Sequence, residues 1–169
     1  MPFNLLKEYN AFLELEAFTE NERKISLKGV FDRDFANNPN LCFKQKTIKP
    51  TPKDGEIPMN TLFTHLTTEV TDKNTKQRTF EIERSKRLHW VKHHLEERMK
   101  QNMLHFSVKE PEGIRTYIYD ISENYVIVLE PFRNSNEYYL ITAYYLRGKD
   151  SKRNKILQKY NKRRLSELH

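Results

Sequence analysis

Asn136-Glu-Tyr-Tyr-Leu-Ile-Thr-Ala-Tyr-Tyr-Leu146 is the run that decides how this chain is read. It is dominated by β-branched and aromatic residues and contains neither glycine nor proline, the composition that favours a pleated strand. Three similar runs precede it, Met103–Val108, Ile114–Asp120 and Tyr125–Glu130. Between them lie only short polar segments: Glu110-Pro-Glu-Gly113, Ile121-Ser-Glu-Asn124 and Pro131-Phe-Arg-Asn-Ser-Asn136. Connections this short cannot hold a helical crossover, so neighbouring strands must run antiparallel. The expected fold is α+β: N-terminal helices, a four-stranded antiparallel meander in chain order, and a basic C-terminal helix.

Outward from the sheet, Glu83–Lys100 carries Leu88, Val91, Leu95 and Met99 on one stripe at helical spacing. That stripe is expected to pack on the sheet, with His89, Lys92, His93 and Glu96 beside or opposite it and Trp90 turned towards the N-terminal part. Pro2–Phe18 reads as an amphipathic helix through Leu5, Leu6, Tyr9, Phe12 and Leu13. Thr19-Glu-Asn-Glu22 is a capping-box pattern opening a second helix, with Gly29 as its stop. Leu41–Lys46 fits a short strand, Lys49–Gly55 a Pro- and Gly-rich connector, and Thr61–Leu66 a short helix capped by Asn60. Thr67–Thr79 has no apolar periodicity and reads as a loop. Residues 1–80 are therefore expected to form a helical and irregular accessory region, and residues 81–169 the sheet-bearing domain.

Composition narrows the classes of function. A chain of 169 residues can bury one good core. Its 30 Lys and Arg outnumber 23 Asp and Glu, for a net charge of +7. The excess concentrates between Arg147 and Arg164, where Arg147, Lys149, Lys152, Arg153, Lys155, Lys159, Lys162, Arg163 and Arg164 face a single acid, Asp150. Such a cluster suits a polyanion, nucleic acid first of all. The single cysteine, Cys42 in Asn40-Leu-Cys-Phe43, excludes an internal disulfide and reads as a small buried hydrophobe. No apolar run reaches transmembrane length, and Met1–Lys7 lacks a signal pattern, so a cytoplasmic protein, or one delivered into a target cytoplasm, is expected.

Titratable groups are densest in His89-Trp-Val-Lys-His93-His94. His89 and His93 stand four apart, a spacing that suits a metal, yet nothing completes such a site at a recognisable spacing and no metal or other cofactor is expected. A histidine acting as general acid or base is the more economical reading. On the second strand Arg115, Tyr117 and Tyr119 point to one face, and on the fourth Thr142 and Tyr144 share a face with Leu140. Arginine, threonine and tyrosine together can hold a phosphate and stack a base. No Gly-rich phosphate loop and no Ser-His-Asp spacing appears.

Three stretches together resemble a known family: Glu83-Arg-Ser-Lys-Arg-Leu-His-Trp-Val-Lys-His-His94, Ile114-Arg-Thr-Tyr117, and Tyr139-Leu-Ile-Thr-Ala-Tyr144 followed by basic residues. They resemble the phage-encoded nucleases of the barnase–EndoU–colicin–RelE-like group (BECR-like), over about residues 81–164. The resemblance implies a toxin-type, metal-independent endoribonuclease that cleaves RNA, tRNA among the targets, and is held by an acidic inhibitor, antitoxin or immunity protein. Carried over by position, it implies a site made of His89, Arg115, Thr142 and Tyr144. Arg84 on the helix matches as well, as an RNA-backbone contact. With it, Lys92, Tyr117, Lys152, Lys155, Lys159 and Arg163 are expected to bind RNA. The reaction implied is attack of the ribose 2′-hydroxyl on its own phosphate, leaving a 2′,3′-cyclic phosphate. Two other classes fit the same residues: a nucleic-acid-binding module without catalysis, and an interaction protein of a phage or mobile element.

Overall fold

The computed structural model describes residues 2–96, 101–132, 135–148 and 154–169. They form an α+β fold around a six-stranded mixed sheet, in the order β1-β2-β8-β7-β6-β5. Four of these strands are β5 (Met103–Glu110), β6 (Gly113–Asp120), β7 (Tyr125–Pro131) and β8 (Glu137–Tyr145), each antiparallel to the next. The sheet is thus not the four-stranded antiparallel unit expected. Residues 1–80 add β1 (Cys42–Phe43) and β2 (Lys46–Pro50), and β2 lies parallel to β8 with Thr47 opposite Glu137 and Pro50 opposite Leu140. The β1–β2 hairpin turns through Lys44 and Gln45, both with positive φ, as a two-residue hairpin of primed type requires.

The sheet has a core on each face because β-strand side chains alternate. On one face Ile118, Tyr125, Ile127, Leu129, Tyr138, Leu140 and Ala143 pack with Leu88, Val91 and Leu95 and with the N-terminal elements. On the other, Phe106, Tyr117, Tyr119, Val126, Val128 and Leu146 pack against Ile156, with Leu157 and Tyr160 beside them. Those last three belong to α6 (Lys155–Lys162), whose left-handed N-cap Asn154 accepts from the Leu157 amide at 3.0 Å. The C-terminal helix described here is therefore one that covers the sheet, and it ends at Lys162, before the expected Arg164. Residues 149–153 lie outside the described residues.

The N-terminal half departs further. The helix α1 spans only Pro2–Leu5. Leu6 and Phe12 of the expected apolar stripe are exposed, and the chain after α1 runs as an irregular strap. Asn4 anchors it: its buried side chain accepts from the Glu14 amide and donates to the Glu14 carbonyl and Ser26. The capping box at Thr19 is present and opens α2 (Glu20–Phe31), which passes Gly29 and continues into a π-helical turn, Asp32–Ala36. Next comes α3 (Pro58–Thr67), which begins at proline with Ile57 as N-cap rather than at Asn60. The polar stretch expected to be a loop is a hairpin, β3 (Thr68–Asp72) with β4 (Gln77–Phe80). Cys42 is exposed, not buried, because it stands on the outward face of β1.

The central helix is interrupted. It comprises α4 (Ile82–Ser85) and α5 (Trp90–Glu96), with residues 86–89 as a turn in which Arg87, Leu88 and Trp90 amides donate to carbonyls three residues back. Tightening from four-residue to three-residue bonding changes the angular step, so side chains before and after the turn are not on one continuous helix. Leu88, Val91 and Leu95 are nevertheless buried on the sheet as expected. Trp90 meets the N-terminal strap, with its indole donating to the Ala11 carbonyl at 3.0 Å and Tyr9 edge-on to its ring. Residues 97–100, including Met99, lie outside the described residues.

A candidate active-site cleft beside a β-bulge

Where β2 ends at Pro50, opposite Leu140, the remaining half of β8 has no strand on its outer side. A β-bulge falls at that point: Val128 pairs with Thr142 and Leu129 with Leu140, leaving Ile141 as the extra residue. Bulges bend a strand and re-aim its groups. Here the Ile141 carbonyl meets His65, near the C-terminal end of α3, while α3 and α4 pack against this half of β8. The result is a cleft of about 310 Å³ lined by His65, Glu69, Val70, Arg78, Arg84, Ile141, Thr142 and Tyr144.

Arg84 is the pivot of the cleft. Its Nη1 donates to the carbonyls of His65 and Thr68, each at 2.8 Å, and to the Thr142 hydroxyl at 3.4 Å. Its guanidinium carbon stands 5.8 Å from the Tyr144 ring centroid, and its Nε is buried without a partner. Arg78 enters from β4 and donates to the Thr68 hydroxyl and carbonyl at 2.8 and 2.9 Å. Burial pulls both guanidinium pKa values down, and the two cations repel each other at Arg78. Two guanidinium groups are thus fixed by backbone carbonyls and the hydroxyls of Thr68 and Thr142, and among the described residues no carboxylate is hydrogen-bonded to either.

The nearby acids are engaged elsewhere. Glu81 caps α4 by accepting from the Glu83 and Arg84 amides, and it receives Arg147 Nη1 at 2.9 Å. The same Arg147 reaches Glu69 at 3.5 Å. These bonds tie β3, α4 and the end of β8 together and hold the cleft walls.

The His65 imidazole is held below its ordinary pKa. Burial lowers its pKa most, and Arg78 lowers it further, against a hydrogen bond to Ile141 that raises it. Its Nδ1 faces the Ile141 carbonyl at 3.4 Å, so the proton belongs on Nδ1 and the lone pair on Nε2. A neutral imidazole with a basic Nε2 beside two cations is equipped to accept a proton.

Of the residues expected at the site, the structure brings Thr142 and Tyr144 together, beside Arg84, which was expected only as an RNA contact, and leaves His89 and Arg115 out. His89 sits in the turn after α4, only 5% exposed, with Nε2 3.1 Å from the Glu8 carbonyl and burial lowering its pKa. It is a core residue under the N-terminal strap, because the turn at residues 86–89 rotates it away from the sheet rim. Arg115 lies on β6, two strands from Thr142 or roughly 10 Å at ordinary interstrand spacing, where its Nη1 pairs with Glu130 at 3.4 Å. Neither lines the cleft.

The expected RNA contacts are similarly redistributed. Tyr117 is buried beneath α6, stacked on Phe106, with its hydroxyl 2.9 Å from Glu110, so it cannot stack a base. Lys159 is bonded to that same Glu110 and, at 3.1 Å, to the Tyr117 hydroxyl. It fastens α6 to the sheet. Lys92 pairs with Glu96 at 2.8 Å, and Arg163 lies over the Tyr160 ring at 3.9 Å. Lys155 is exposed on α6, and Lys152 lies outside the described residues.

His65 and Arg78 are not among the residues to which the sequence points. The only signal for His65 was its place on a short helix after the connector. Arg78 lay in a stretch read as a loop. No family model, no curated protein and no solved structure matches this chain. No helix of the described residues is long and apolar enough to cross a membrane.

Proposed function

We propose that this chain is a metal-independent endoribonuclease whose centre is the His65–Arg84–Thr142–Tyr144 cleft. The observation that carries the reading is the meeting of a histidine with a lowered pKa, two guanidinium groups to which no carboxylate among the described residues is hydrogen-bonded, a hydroxyl and a phenol in one small cleft. Each has a task in cleavage by the substrate's own ribose hydroxyl. His65 Nε2 takes the proton of the 2′-hydroxyl as that oxygen attacks the adjoining phosphorus. Arg84 and Arg78 offset the added charge on the phosphoryl oxygens, and the Thr142 hydroxyl fixes one of them. The bond from phosphorus to the 5′-oxygen breaks, and the Tyr144 phenol gives that oxygen its proton. The products are a 2′,3′-cyclic phosphate and a free 5′-hydroxyl.

The reaction is the one implied by the sequence resemblance, with His65 in place of His89 and Arg84 in place of Arg115. RNA, tRNA included, is the substrate class, and an acidic inhibitor protein is the partner that a basic active face would attract. Incubating the pure chain with tRNA and ribosomal RNA tests the proposal. Cleavage that survives chelators and is lost in His65→Ala supports it. Cleavage unaffected by His65→Ala overturns the site, and the absence of any cleavage overturns the activity.

A further inference from the structure

A second cavity adjoins the cleft, and the proposed chemistry does not use it. It is a groove of about 720 Å³ between α2 and α3, within the size range of sites for nucleotide-sized ligands. Phe63 and Phe80 line it with Leu27, and Arg23, Lys24 and Lys28 stand along the α2 side with a single acid, Glu20. The Arg23 guanidinium lies over the Phe80 ring at 4.3 Å, and its Nε is buried with no hydrogen-bond partner. Lys28 is paired with Asp32, whereas Lys24 is exposed.

The groove and the cleft share a wall. Thr64 and Thr68 line the groove, Thr64 precedes His65, and the Thr68 carbonyl accepts from both Arg84 and Arg78. An anionic chain leaving the cleft over α3 meets cations and aromatic faces at once.

We propose that this groove is a flanking-nucleotide subsite, which takes one base of single-stranded RNA against Phe63 and the Arg23–Phe80 pair while Lys24 and Arg23 meet a neighbouring phosphate. The inference rests on the cleft being where RNA is cut. Aromatic faces bind any base by stacking, and an arginine plane adds to it. Charge complementarity selects the occupant: with Lys28 neutralised by Asp32, Arg23 and Lys24 still outnumber the one lining acid, Glu20, and favour an anionic chain over an apolar peptide. The groove gives residues 20–80 a direct share in substrate binding.

The test uses 2′-O-methyl oligonucleotides of two and six nucleotides, which lack the attacking hydroxyl, with binding followed by fluorescence anisotropy. Arg23→Glu with Lys24→Glu is the surface variant, and Phe80→Leu, which keeps an apolar group in place, is the second. Each is expected to weaken the hexamer about tenfold or more, and to weaken the dimer, too short to span both sites, much less. A hexamer abasic at its outer nucleotides should lose a similar factor on the wild type and little more on the variants.

Equal losses for dimer and hexamer, or no loss from abasic substitution, would leave only general electrostatic attraction and overturn the subsite. So would variants that bind RNA normally and lose only an acidic protein partner. Because the probes cannot be cleaved, the result is independent of whether His65→Ala stops cleavage. Normal hexamer discrimination with a silent cleft sinks the catalytic reading alone.

Discussion

The Nη1 of Arg84 lies 3.4 Å from the hydroxyl of Thr142, and through that contact α4 meets β8 at the one place where the outer edge of β8 has lost its partner strand. Arg84→Ala should lower kcat/KM by about 100-fold or more, since it removes a fixed cation from the transition state. It should also cost roughly 1–3 kcal/mol of stability, because the His65 and Thr68 carbonyls lose a charged donor. Arg84→Lys keeps charge but not the forked geometry, and should recover stability better than rate. Thermal melts and initial rates on the same preparations separate the two effects.

His89 and Arg115 should behave as structure, not chemistry. His89 is buried with a bond to the Glu8 carbonyl. Its replacement by Ala should therefore destabilise by about 1–3 kcal/mol, while kcat of the folded fraction stays within about threefold. Arg115 is largely buried and pairs with half-exposed Glu130, so Arg115→Ala should cost roughly 1–3 kcal/mol of stability through lost packing and an unpaired carboxylate. A hundredfold loss of kcat in either variant at unchanged stability would return the site to the residues that the sequence favoured.

Activity should carry the signature of a depressed histidine. Burial and Arg78 hold His65 below the usual imidazole range, so its basic form persists to lower pH than for a free histidine. The acid limb of kcat/KM should therefore lie below the ordinary value near 6.5. Arg78→Gln, which removes the repelling cation, should move that limb upward. A limb that stays put in Arg78→Gln would show that another group sets it.

Stability should fall on acidification for a related reason. His105 sits edge-on to Phe43 with both ring nitrogens buried and unpartnered, and burial lowers its pKa from 6.5 to about 4. Between those values the unfolded chain takes up a proton that the folded chain refuses, so stability is fully present above pH 6.5 and is lost as pH falls towards 4. His65 and His89 are also depressed and act in the same direction. His105→Leu should raise Tm more at pH 5 than at pH 8 in a calorimetric series. An equal shift at both values would mean that packing, not titration, was changed.

How far the sequence reached depends on whether a feature is local. Tyr125–Pro131 and its neighbours are strands joined by short turns, and alternation with turn chemistry is enough to find them. The capping box at Thr19 is equally local. The pairing of Thr47 with Glu137 is not, because Lys49 and Pro50 look like a connector and nothing nearby marks a parallel partner so far along the chain. His89 was misplaced by assuming one regular helix through residues 86–89, where three-residue bonding takes over. Arg84, Thr142 and Tyr144 were visible through the family resemblance. His65 was not, since only the bulge at Ile141 brings that carbonyl against its ring.

The central claim is that His65 begins an attack by the ribose 2′-hydroxyl. It is tested most directly by mapping the ends of RNA fragments made by the wild-type chain and by His65→Ala, with chelator present and with a substrate carrying a single 2′-deoxy residue at the cut. The account predicts 2′,3′-cyclic phosphate and 5′-hydroxyl ends from the wild type, none from His65→Ala, and an inert deoxy substrate. Fragments with 5′-phosphate ends, or cleavage at the deoxy position, would contradict it.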